Sequence, residues 1–200
     1  MKLLLQNLTK LTRLPQSELI PLLPYFEPMT TLPDTALLSP GEVASSLWFI
    51  GSGVMRAFHI VEQRKRSQVE EKLVREITNW IVPAGGFLTD IRSFIYQTPA
   101  NYFVETLEAC RLYSLSFNNY LILQSSHPEI ARAVFENTMV MADLRVQMCS
   151  LRDPQSRLEM FEKMYPGLKG HLSVNIQASY LNIDPTTLSR LRSKRSRNNS

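Results

Sequence analysis

Cysteine is scarce in this sequence: Cys110 and Cys149 are the only two, far apart, with no CxxC motif and no histidine at ligand spacing. That excludes a disulfide framework, a structural zinc site and an iron–sulfur cluster. Long hydrophobic runs are missing too. No uncharged apolar stretch nears the ~20 residues that cross a bilayer. The leucine-rich start, Leu3 to Leu5, turns polar at Gln6 and is too short for a secretory signal. A cytoplasmic protein without a membrane partner is therefore expected. No nucleophile–base pair or phosphate-loop motif occurs, so neither an enzyme, a metal nor another cofactor is expected. Acid is absent from one stretch in particular: Arg190 to Ser200 carry Arg190, Arg192, Lys194, Arg195 and Arg197 and no Asp or Glu.

What is present is an ordinary globular composition. Of the 200 residues 44% are hydrophobic and 20% charged, which gives room for one large domain or two small ones with real cores. The net charge of +4 is unevenly placed: residues 1–150 hold 13 basic against 14 acidic side chains, residues 151–200 hold 9 against 4. Such a step points to a polyanion as partner of the C-terminal part. A solvated basic tail accounts for the charge alone equally well.

Periodicity divides the chain. Leu3 to Leu23 has helical spacing, with Gln16 to Leu22 as a short helix ending near Pro24. From Phe26 to about residue 116, proline and glycine punctuate short apolar runs, the pattern of an antiparallel β barrel or sandwich of about eight strands. Leu47-Trp48-Phe49-Ile50 reads as a buried strand and Gly51-Ser52-Gly53 as its turn. A long hairpin follows, with a polar tip around Gln63-Arg64-Lys65-Arg66. The longest helix starts at Pro128 and meets no breaker before Pro154. On it Ile130, Val134, Asn137, Met141, Leu144 and Met148 follow 4-3 spacing and form the expected dimer seam. Phe135, Ala142, Val146 and Cys149 make a second apolar flank. One small barrel seldom covers both faces of so long a helix, so a homodimer is expected; a core helix within one chain is the alternative.

Beyond it, Asp153-Pro154 is a cap-plus-proline helix start, Ser173 caps a further helix packed through Ile176, Ala178, Tyr180 and Leu181, and Asp184-Pro185 repeats the start. Asn182 stands where the chain turns sharply, as the best non-glycine choice for a left-handed backbone. The last helix presents Pro185, Thr186, Thr187, Ser189, Arg190 and Arg192, with Leu188 and Leu191 inward. Helix, tight turn and a second helix with hydroxyls and arginines near its start make a helix-turn-helix plan. Arg190 suits bidentate contact with guanine. Thr186, Thr187 and Ser189 suit phosphates or base edges, while Arg192, Lys194, Arg195 and Arg197 supply phosphate attraction. Ser173 and Pro185 complete the DNA-binding set.

The segment Gln177-Ala178-Ser179-Tyr180-Leu181-Asn182-Ile183-Asp184-Pro185-Thr186-Thr187-Leu188-Ser189-Arg190-Leu191-Arg192 resembles the recognition segment of CRP/FNR-type bacterial transcription regulators, in particular their compact branch common in Bacteroidetes. Leu47 to Gly53, Asn79-Trp80, Gly85-Gly86-Phe87 and Glu105 to Glu108 are similar to that branch in the same order. The resemblance implies an α+β fold: an antiparallel jelly-roll barrel of cyclic-nucleotide-binding type with N-terminal helices (1–125), a long dimerisation helix and hinge (126–152, with the hinge near Arg152 to Pro154) and an all-α helix-turn-helix domain (153–200). It further implies a homodimer on a two-fold site in double-stranded DNA, RNA polymerase as a further partner, and a small-molecule effector in the barrel. The effector pocket would involve Gly86, Phe87, Arg92, Ala100, Asn101 and Tyr102. Members that bind cyclic AMP carry a Gly-Glu pair and then an Arg-Ser pair there. Here Gly86 stands in place of the glutamate and Ala100 and Asn101 in place of the arginine and serine, with Arg92 as a weak substitute. Cyclic AMP is therefore not expected to bind in the usual way. Asn182 replaces the family's turn glycine and Gln177 an apolar residue, so looser packing of that helix is expected. The basic tail is expected to stand in for a terminal β wing. The rival reading is a ligand-binding or protein-interaction module of the same fold that no longer binds DNA.

Overall fold

The computed structural model describes residues 1–64 and 72–198. Lys65 and Arg66 of the expected hairpin tip lie outside the described residues. The elements in order are α1 (Lys2–Thr12), α2 (Gln16–Leu19) running into a 3-10 turn, β1 (Phe26–Thr31), β2 (Ala36–Leu38), β3 (Ser46–Ser52), β4 (Val54–Arg64) and β5 (Lys72–Pro83). They continue as β6 (Phe87–Leu88), α3 (Ile91–Tyr96), β7 (Phe103–Thr106), β8 (Cys110–Ser116), α4 (Phe117–Ser126) and α5 (Pro128–Ser150). Three helices close the order: α6 (Pro154–Met164), α7 (Val174–Leu181) and α8 (Pro185–Asn198).

The chain separates into two compact units. One comprises Met1–Phe58 and Trp80–Met141, the other His59–Asn79 and Ala142–Ser200. The outer part of the β4–β5 hairpin thus belongs with the C-terminal helices.

In the first unit the strands form two four-stranded sheets, β1-β8-β3-β6 and β2-β7-β4-β5. Of the expected barrel or sandwich, the described residues form the sandwich: two sheets share one core, and no closed sheet is seen among them. The reason is in the pairing. β8 lies between β1 (Phe26↔Leu115 to Thr31↔Cys110) and β3 (Leu47↔Leu115 to Ile50↔Leu112), so its hydrogen-bonding capacity is used within one sheet. Met55 and Ala57 of β4 pair with Thr106 and Val104 of β7 in the other sheet. Phe49, Ile50, Leu112, Met55, Ala57 and Val104 are all buried in the common core. The turn from β3 to β4 needs glycine: Gly53 has φ +95, and a Cβ there would come within 2.4 Å of the Cys110 Sγ.

The second unit is built on aromatic packing. Phe161 of α6 lies 5.7 Å edge-on from Tyr180 of α7, and Tyr165 is 5.3 Å from Phe161. The Tyr165 and Tyr180 hydroxyls are hydrogen-bonded at 3.2 Å inside this cluster. Leu158, Ala178, Leu181 and Leu188 complete the core.

Candidate nucleic-acid interface and sensor pocket

The helix-turn-helix geometry is set by local chemistry. Asp153 caps α6 by accepting from the Ser156 N–H at 2.8 Å, and that bond, with the Ser156 hydroxyl, holds its carboxyl below the usual range. Ser173 caps α7 by accepting from the Ile176 N–H at 3.2 Å. Asn182 ends α7 in the left-handed region, φ 53 and ψ 50, and the Ile183 N–H returns to the Ala178 carbonyl at 3.0 Å. α8 then starts at Pro185, with the Leu188 N–H on the Asp184 carbonyl.

On α8, Leu188 is fully buried and Leu191 half-buried, while Thr186, Ser189, Arg190, Ser193 and Lys194 are exposed. At ~100° per residue Thr186, Ser189, Arg190 and Ser193 share one face. Ser193 was not singled out by the sequence reasoning; its place in the row 186-189-190-193 was the signal. The hydroxyls of Ser189 and Ser193 each donate to the carbonyl four residues back, at 3.0 Å, leaving their lone pairs outward. Ser173 and Thr186 are exposed, Pro185 and Thr187 half-buried.

Two of the expected phosphate-binding arginines are held by their own unit. Arg192 donates to the side-chain oxygen of Gln177, and Arg195 pairs with Glu162 at 2.5 Å. Gln177 is fully buried where Ile176 was expected to be, and Ile176 is only half-buried. Its amide nitrogen donates to the Leu172 carbonyl at 2.9 Å. The expectation of looser packing at Gln177 therefore fails for a definite reason. A buried amide with both ends hydrogen-bonded costs little, and this one ties α7 to α8.

Three further residues, missed in the sequence, position this motif. Ser179 of α7 meets the β5 backbone, accepting from the Thr78 N–H at 2.9 Å and donating to the Glu76 carbonyl at 3.0 Å. The Arg145 guanidinium stacks 3.8 Å over the Tyr180 ring and donates to the Asn79 carbonyl. Arg157 gathers carbonyls from the residues after α5 and from the end of α7: Leu151 at 2.7 Å, Leu181 at 3.0 Å, Asn182 at 2.9 Å and Arg152 at 3.4 Å. Only the fold could reveal it, because its partners are backbone atoms 5 to 25 residues away.

The sensor cassette sits in the first unit. The Gly86 carbonyl accepts from the Ile50 N–H, and a Cβ at Gly86 would come within 2.3 Å of Val82. Phe87 packs edge-on against Phe49 at 4.9 Å. Asp90, buried, caps α3 through the Ser93 N–H at 3.1 Å and also accepts from the Asn101 N–H at 3.0 Å. Ala100 is buried and its backbone is bonded to Glu42 and Gly41. Arg92 is exposed and Tyr102 half-buried. Two backbone donors of the cassette, the Ser93 and Asn101 N–H groups, are thus already taken by the Asp90 side chain.

The residues of the expected dimer seam differ in exposure along α5. Ile130, Val134 and Met148 are 1%, 4% and 0% exposed in the single chain, and Asn137, Met141 and Leu144 are half-buried. Side chains already covered by their own chain have no area to give a partner. Within the 4-3 row, Ile130, Val134 and Met148 pack on their own chain, while Asn137, Met141 and Leu144 keep part of their surface.

No protein-family model and no curated protein matches the sequence. Solved structures do. The chain is similar to the c-di-GMP responsive global regulator CLP of Xanthomonas campestris, with 14% identity over 92% of this chain and 93% of that one and a TM-score of 0.64. It is similar to the catabolite activator protein of Thermus thermophilus (18% identity, 93% and 85% covered, TM-score 0.52) and to FixK2 of Bradyrhizobium japonicum (12%, 84% and 83%, TM-score 0.64). At these identities the likeness shows the fold, which is that of CRP/FNR-type transcription regulators. Among the described residues no helix is long and apolar enough to cross a membrane.

Proposed function

We propose that this chain is a homodimeric, cytoplasmic, DNA-binding transcription regulator of CRP/FNR type, without enzymatic activity. The observation that carries this reading is the exposed face Thr186-Ser189-Arg190-Ser193, with Lys194 beside it, on a helix whose start and preceding turn are fixed by Pro185 and Asn182. That is the shape and chemistry that enters a major groove N-terminus first. Arg190 is assigned to base readout and Lys194 to phosphate. Arg192, held by Gln177, is assigned to positioning. The target is a two-fold site in double-stranded DNA, with RNA polymerase as a further partner; the compact-branch assignment rests on the recognition-segment motif.

The sensor is degenerate toward cyclic AMP. The Asp90 carboxyl already accepts from the Ser93 and Asn101 N–H groups, Gly86 and Ala100 carry no polar side chain for a ribose or phosphate, and Arg92 is exposed. Isothermal titration with cyclic AMP is expected to show no binding, and an uncharged or differently placed effector remains compatible with the fold. A second reading, a module of this fold that has lost DNA binding, is favoured by one fact: Arg192 and Arg195 are occupied within the chain.

Fluorescence anisotropy with random duplex DNA separates the two. The regulator binds at low salt and weakens by about tenfold or more as salt rises from 50 to 200 mM, since each phosphate neutralised releases counterions. A folded protein that binds no duplex at low salt overturns the regulator reading.

A further inference from the structure

Strand β5 stands at the end of its sheet: the order is β2-β7-β4-β5, so among the described residues one side of its backbone has no neighbouring strand. Along such an edge the N–H and C=O groups of alternate residues point the same way. Glu76 and Thr78 are two such residues, and one side chain serves both. The Ser179 hydroxyl of α7 accepts from the Thr78 N–H at 2.9 Å and donates to the Glu76 carbonyl at 3.0 Å. These bonds join positions 101 and 103 residues apart in the chain. Beside them the Arg145 guanidinium covers the Tyr180 ring at 3.8 Å and donates to the Asn79 carbonyl at 3.3 Å. All of these residues lie in one compact unit, His59–Asn79 with Ala142–Ser200. Thr78 is fully buried, and its own hydroxyl has no hydrogen-bond partner among the described residues.

We propose that Ser179 is a positioning residue for DNA binding: its hydroxyl docks α7, and with it α8, on the open edge of β5. The inference rests on the regulator reading above and goes beyond it, because it makes the outer part of the hairpin a component of the DNA-reading unit. α7 is tied to α8 by the Asn182 turn and by the bond from Arg192 to Gln177, so a constraint on α7 is a constraint on the exposed face of α8. A two-fold site holds its two recognition helices at one spacing. Freedom of α7 and α8 against the sheet edge is lost on binding, and an undocked pair therefore binds more weakly. One hydroxyl suffices for the docking because it is donor and acceptor at once and meets one group of each kind on the strand.

The test uses the full chain, with amide exchange followed at Thr78 and duplex affinity followed by anisotropy. Ser179→Ala puts the best helix former at the position and removes only the hydroxyl, so α7 itself is not weakened. Expected are exchange at Thr78 about tenfold faster and a duplex dissociation constant raised about tenfold. Ser179→Thr, which keeps the hydroxyl, restores both to within about threefold of the unaltered chain. Thr78→Val keeps the N–H, removes only the unpartnered hydroxyl, and leaves affinity within about twofold. Affinity lost in Ser179→Ala with exchange at Thr78 unchanged, or lost equally in Ser179→Thr, overturns the positioning role while the regulator reading stands. So does faster exchange at Thr78 with affinity unchanged or increased. An unaltered chain that binds no duplex overturns both.

Discussion

At the scale of single residues, two side chains do what their neighbours in sequence cannot. Arg190 is exposed on the outer face of α8, whereas Arg192, two positions on, is turned inward to Gln177. Arg190→Ala is therefore expected to cost about 1–3 kcal/mol at one base-pair position and to flatten discrimination there, measured by competition between operator variants. Lys194→Ala is expected to weaken all sequences alike and lower the salt slope. Gln177→Ala removes the hydrogen bonds to the Leu172 carbonyl and to Arg192, and about 1–3 kcal/mol of stability should be lost. Urea unfolding measures it, and a loss as large in Arg190→Ala would contradict the division of roles. Tyr180 gives a pH prediction. Burial raises its hydroxyl well above the usual phenol value, with the neighbouring Tyr165 adding to the effect. A group with a raised folded pKa stabilises fully below its unfolded value, near pH 10, and loses that contribution as pH climbs beyond it. The chain should unfold more readily above about pH 10, and Tyr180→Phe should reduce that dependence.

At the scale of elements, capping and turns were legible because their causes are local. Asp153, Ser173 and Asn182 act on groups within five residues, and the structure shows each in the expected place. The hairpin was legible for the same reason, since its two strands follow each other in the chain, and the structure forms them as Val54–Arg64 and Lys72–Pro83. What the sequence hid was which face of a periodic helix turns inward. α5 carries two rows with the same 4-3 spacing, and only the three-dimensional arrangement shows that Ile130, Val134 and Met148 pack on their own chain. Gln177 was hidden likewise, since an amide in an apolar slot looks like a defect until Leu172 and Arg192 are seen at its two ends. Arg157 belongs to this scale because it joins the residues after α5 to the turn after α7. Arg157→Ala should lower DNA affinity and stability together. Arg157→Lys should restore less than half, because one ammonium cannot serve four carbonyls in a planar fork.

At the scale of the molecule, the asymmetry of charge acquires a physical meaning. The near-neutral first 150 residues supply the sheets and the long helix α5, while the excess of basic side chains falls on the helices that present Arg190 and Lys194. Part of that excess is structural, in Arg157, Arg192 and Arg195, so the outward field is narrower than the composition indicates. On the proposed function, specific recognition then comes from a few contacts repeated by two-fold symmetry rather than from a broad basic surface. The most direct measurement is selection of binding sites from a randomised duplex library by the full-length protein. The account predicts an enriched inverted repeat whose half-site centres are about 10 base pairs, one helical turn, apart, and its loss with Arg190→Ala. Enrichment of a single unrepeated site, or of none, would contradict it.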